Sequence, residues 1–129
     1  MESFRYGEEA TFSHNGKPYL AYAQRTWSLD DERPLHAETG YWRPGADGGV
    51  EVVVAHPTGI AEVYYGTVDG TRIELATDVV ARTGTAKDVT ALTRLYGLVE
   101  GRLMYAVDMA AVGHPLQAHL SAALDRVGD

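Results

Sequence analysis

"VEGRLMYAV", residues 99–107, decides how this chain folds. Glu100-Gly101 interrupts a run of aliphatic, aromatic and β-branched residues, the types that suit a pleated, half-buried surface. A glycine-containing pair between two β-prone flanks is a hairpin signal, because glycine reaches the positive φ that a tight turn demands. "VDGTRIEL", residues 68–75, carries the same device at Asp69-Gly70. Working outward from these two turns, the same alternation predicts strands at Arg5–Ser13, Tyr19–Trp27, His36–Arg43, Val50–Ala55, Ala61–Val68, Arg72–Ala81, Val89–Leu98, Leu103–Met109 and His119–Val127. Gly, Pro, Asn and Asp clusters separate them, as in Asn15-Gly16-Lys17-Pro18 and Pro57-Thr58-Gly59. Short strands at near-regular spacing, joined by tight turns, argue for an antiparallel meander. Closing such a sheet into a barrel removes its two exposed edges. The expected fold is therefore all-β, an up-and-down β-barrel of about nine to ten strands, with a two-sheet sandwich as the alternative. A barrel slightly wider than eight strands has room for a flat macrocycle.

The totals narrow the function. A chain of 129 residues, 45% hydrophobic and 22% charged, reads as one globular domain over residues 1–129 with a real core. A net charge of −7 argues against nucleic acid and anionic membranes, which need basic footprints. The absence of cysteine excludes disulfides, thiolate metal sites and a cysteine nucleophile. The acidic start "MESFRYGEEA" lacks the basic and apolar regions of a signal peptide, and no apolar run reaches membrane-spanning length. A cytoplasmic protein is expected. Glycine-rich phosphate loops, zinc-protease motifs and calcium loops are absent.

"MAAVGHPLQAHLSAAL", from Met109, admits two readings, helix and strand. Pro115 suits the first residue of a helix, and the alanines favour one. Barrel closure favours a strand, and that reading is taken from His119 onward. It places Ser121 and Ala123 on the face of His119, which leaves space beside the imidazole. His114, ahead of a proline, is expected in an exposed loop, and His14 beside a turn on the surface. His36 and Glu38 share a strand face two residues apart. Such a pair is capable of acid–base work, although a polar pair inside the barrel is the favoured reading.

The blocks "FRYGEEATFSHNGKPYLAYAQRTW", "PLHAETGYWR", "AHPTGIAEVYYG", "TAKDVTALTRLY" and "LMYAVDMAAVGHPLQAHLSAAL" together resemble the nitrobindin family, whose heme-binding β-barrels are also described as peroxynitrite isomerases. The resemblance runs over essentially the whole chain. It implies a ferric heme b with His119 as the proximal iron ligand, held without covalent attachment. It also implies isomerisation of peroxynitrite to nitrate, and nitric oxide binding at the same iron. With heme in view, His56 becomes a candidate for the distal side, and Lys87 and Arg94 become candidates for pairing with the propionates. Their strand parity lets one of the two do so. Nitrobindin-type chains begin with a Gly-x-Trp-x-Gly-x-Gly strand that this sequence lacks. The expected consequence is a pair of unpaired edges beside the heme, and a monomer or a homodimer joined through them. The rival reading is a non-enzymatic carrier of an apolar ligand, with a heme or nitric oxide sensor as a third.

Overall fold

The structure, a computed structural model, describes residues 6–125. Nine strands follow one another: β1 (Tyr6–Ser13), β2 (Leu20–Ser28), β3 (Pro34–Pro44), β4 (Val50–His56), β5 (Ile60–Asp69), β6 (Arg72–Arg82), β7 (Val89–Val99), β8 (Arg102–Ala111) and β9 (Gln117–Leu124). Each is hydrogen-bonded antiparallel to the next, in a single sheet ordered β1 to β9. One sheet in sequence order rules out the two-sheet sandwich. The stretch after Met109 is strand, beginning two residues before His119, and the helix that its alanines favour locally does not form. Strand pairing with β8 overrides that propensity. The predicted strand ends at Arg5 and Val127 lie outside the described residues.

The turns do what their glycines suggest. Glu100 and Gly101 both take positive φ (52° and 79°) between the paired residues Val99 and Arg102, the two-residue geometry that matches strand twist. Gly40 has a different reason to be glycine. A Cβ there would stand 1.8 Å from the Val53 carbonyl oxygen on β4.

Alternation puts one residue in two inside: Tyr22 on β2, Trp42 on β3, Val52 and Val54 on β4, Ile60 and Tyr64 on β5, Leu92 and Tyr96 on β7. Each fully buried side chain of this size contributes about 1.5–3 kcal/mol relative to exposure. The sheet curls far enough for distant strands to meet across its interior. The Trp42 ring lies edge-on to Tyr96, with centroids 5.1 Å apart, although β3 and β7 are four strands apart. The Tyr105 hydroxyl of β8 donates to the Glu8 carboxylate of β1. Among the described residues no backbone ladder joins β1 to β9, so the barrel is curled but open along that seam.

Bulges sharpen the curl. The register slips between Thr26 and Trp27, Val63 and Tyr64, Val89 and Ala91, and, on β8, Val107 and Asp108. The β6–β7 ladder covers Arg72–Ala76 opposite Thr93–Gly97 and then ends. At that end the barrel interior is reached, between the β4–β5 turn, the β6–β7 loop and the start of β9. No helix among the described residues is long and apolar enough to cross a membrane.

Candidate functional site

The open end holds a cavity of about 240 Å³. One wall is apolar, from Ile60, Val89, Leu92, Val107 and Met109. The floor is polar, from Glu38, His56, Glu62 and Arg94, and His36, Lys87 and His119 stand nearer the mouth. This enclosed part is smaller than the roughly 300–1,000 Å³ of most ligand pockets. It adjoins a second hollow of about 300 Å³ that shares Lys87, Met109 and His119 with it.

His119 owes its placement to an irregularity. On β9, Ala118 pairs with Asp108 and the next paired residue, Leu120, faces Val107, so His119 is the extra residue of a bulge. Bulges re-aim side chains, and here the imidazole borders the cavity. Partial burial lowers its pKa below the ordinary 6.5, and the charges of Lys87 and His36 lower it further. At neutral pH the ring is therefore uncharged and keeps a lone pair for a metal. Lys87 lies in the exposed β6–β7 loop and lines both hollows.

Arg94 is already engaged by other partners. Alternation along Leu92, Arg94 and Tyr96 turns all three inward, and the Arg94 side chain is 5% exposed. Its Nε donates to the Tyr64 hydroxyl (2.9 Å). One terminal nitrogen donates to Glu38 (2.6 Å) and Tyr96 (3.2 Å), the other to Glu38 (3.1 Å) and Glu62 (3.3 Å). A guanidinium has five N–H donors, and these contacts engage all five. None is left for a propionate.

The carboxylates around it are held as tightly. Glu38 also accepts from the Tyr22 hydroxyl at 2.8 Å, and Glu62 accepts from Tyr64 at 2.5 Å. Burial alone would raise the Glu38 pKa. His36, the charge and hydrogen bonds of Arg94, and Tyr22 outweigh it and hold the carboxyl well below the carboxylate range. Glu62 is likewise lowered against its burial by His56, Tyr64 and Arg94. The tyrosines move oppositely: burial pushes the Tyr22 and Tyr64 hydroxyls far up, so both remain protonated donors.

His36 and Glu38 do form an inward polar pair, with Nε2 of His36 3.6 Å from Oε1 of Glu38. The His56 side chain is buried on the cavity floor, its Nε2 2.8 Å from Oε2 of Glu62. His14 and His114 are exposed, in the β1–β2 and β8–β9 connections. Sequence reasoning missed Glu62 and the three tyrosines, Tyr22, Tyr64 and Tyr96, that join it, Glu38 and Arg94 in one network. The available signal was parity, since Ile60-x-Glu62-x-Tyr64 repeats the inward spacing of Leu92-x-Arg94-x-Tyr96.

These residues suit a b-type heme. A neutral imidazole borders an apolar wall, a cation stands at the mouth for a carboxylate, and no cysteine is present for covalent attachment.

Comparison with known proteins agrees. Residues 1–126 match the family model described as the THAP4-like, heme-binding beta-barrel domain. A peroxynitrite isomerase of Frankia alni is 55% identical, over 100% of this chain and 96% of its own length. A ferric nitrobindin-like protein of Kineococcus radiotolerans is 47% identical, over 95% and 78%. The crystal structure of Rv2717c from M. tuberculosis superposes with a TM-score of 0.88 at 47% identity, covering 99% of this chain and 84% of that one.

Proposed function

The chain belongs to the family of THAP4-like, heme-binding β-barrel domains, and we propose that it binds ferric heme b through His119 and isomerises peroxynitrite to nitrate. The observation that carries the assignment of the ligand is the bulge on β9. It sets one uncharged imidazole at the border of an apolar-walled cavity in a chain without cysteine. A bound ferric heme would supply the iron chemistry for isomerising peroxynitrite to nitrate and for binding nitric oxide. The chain's own part is to hold and enclose. His119 offers its ring nitrogen as the single protein ligand. Lys87, which lines both hollows, would pair with a propionate. Ile60, Val89, Leu92, Val107 and Met109 would keep water away from the bound substrate.

The proposal includes one domain, a small-molecule substrate and a cytoplasmic address, the last checked by cell fractionation. The direct test is a hemin titration of the purified chain, followed by Soret absorbance, with His119→Ala in parallel. One equivalent bound with a ferric single-histidine spectrum, lost in the variant, is the expected result. Equal hemin binding by both proteins would overturn the assignment of His119. No hemin binding by either would leave the apolar-carrier reading standing.

A further inference from the structure

We propose that His36, Glu38 and His56 form a binding site for a divalent transition-metal cation of the zinc class, separate from His119 and independent of heme. Three atoms from β3 and β4 converge: Nε2 of His36, Nδ1 of His56 and Oε1 of Glu38. The two nitrogens are 3.4 Å apart, and they lie 3.6 Å and 3.8 Å from the oxygen. The centre of such a triangle is about 2.1 Å from each corner, which is the length of a zinc–nitrogen or zinc–oxygen bond. Drawing the corners in by a few tenths of an ångström turns the triangle into one face of a tetrahedron. The fourth position then opens on the cavity that all three residues line.

The surroundings orient the ligands as a metal requires. The His56 side chain is 8% exposed, and its Nε2 makes no aligned hydrogen bond, although Oε2 of Glu62 is 2.8 Å away. A small rotation of the ring gives the Nε2–H to that carboxylate and leaves the Nδ1 lone pair directed into the triangle. A carboxylate behind a histidine commonly fixes a metal ligand in this way. Glu62 is itself held by Tyr64 and Arg94. Glu38 uses Oε2 for Tyr22 and Arg94, while Oε1 accepts one bond from Arg94 and retains acceptor capacity toward the two imidazoles. Charge favours a cation as well. Two buried carboxylates, Glu38 and Glu62, face one guanidinium, and two imidazole nitrogens facing each other at 3.4 Å need a proton or a metal between them. His36, with its side chain 38% exposed, provides the way in from solvent.

Co²⁺ is the probe, titrated into the full chain with and without hemin and read by its visible d–d bands, with Zn²⁺ as displacer. The expected result is one equivalent bound, with the intense bands of four-coordinate cobalt, displaced by Zn²⁺. His36→Ala and His56→Ala should each weaken binding more than about 100-fold, and Glu62→Gln about 10–100-fold. His119→Ala and His114→Ala should bind as the parent does. His36 is half-buried at the mouth, so its variant keeps the test sound even if His56→Ala fails to fold. The proposal is overturned if the parent takes up no stoichiometric Co²⁺. It is equally overturned if His36→Ala binds unchanged, or if binding is lost with His119→Ala. Hemin binding is scored separately, so failure of either assignment leaves the other intact.

Discussion

Arg94 and His119 line the same cavity and are held in opposite ways. Arg94 is buried, and its five donors go to Glu38, Glu62, Tyr64 and Tyr96. His119 is exposed, stands on a bulge, and makes no side-chain hydrogen bond among the described residues. The floor of the site is thus held by a guanidinium whose donors are all used, whereas the rim keeps an imidazole with its valence unspent. A ligand-binding barrel needs both: a group committed elsewhere cannot bind, and a free group without a rigid floor beneath it has no defined geometry.

The contrast is broken most severely by removing the guanidinium. Arg94→Met leaves two buried carboxylates without their counter-charge and should cost about 3–5 kcal/mol in urea denaturation, or prevent folding. His119→Ala, measured in the same way without hemin, should change stability by less than about 0.5 kcal/mol. Equal losses in the two variants would mean that the rim is as structural as the floor.

Acid probes the floor without mutation. Glu38 and Glu62 titrate below the 4.5 of an unperturbed glutamate, so the folded chain binds fewer protons than the unfolded one in that range. Their contribution is fully present above pH 4.5 and is lost as pH falls through the lowered values. Urea midpoints measured downward from pH 6 should therefore stay level at first and then drop below about pH 4.5. Tyr64→Phe sharpens the comparison further. It deletes the hydroxyl that donates to Glu62 and accepts from Arg94, at an expected cost of about 1–3 kcal/mol. The smallest effect belongs to the rim. Lys87→Ala should weaken hemin binding by at most about fivefold, because an exposed ion pair contributes about 0–1 kcal/mol. Stability should be unchanged.

The strands were legible because their signals are local. Glycine turns such as Glu100-Gly101 punctuate the sequence, and alternation between them has a period that needs no partner to be read. His119 enters as a candidate through a family resemblance, and the bulge on which it stands is not visible in the sequence. A one-residue slip shows only when β9 is laid against β8. The Arg94 cluster was harder still. Glu38, Glu62 and Arg94 are 24 and 32 residues apart along the chain and meet because the sheet curls, a tertiary fact with no mark on any short segment. Parity places Arg94 inside, yet in an isolated strand an inward arginine and an outward one look alike until the opposing strands are known.

The bulge on β9 acts as a phase shifter. Upstream of it Ala118 stands opposite Asp108, an outward and exposed position, and downstream the strand is back in step opposite Val107, an inward one. His119 occupies the extra beat. Deleting Ala118 would return β9 to strict alternation and put the histidine opposite Asp108, on the solvent face. The apolar wall, the buried polar floor and the hydrophobic core would keep every side chain. The strand would still spell a histidine, but addressed to the wrong side of the sheet.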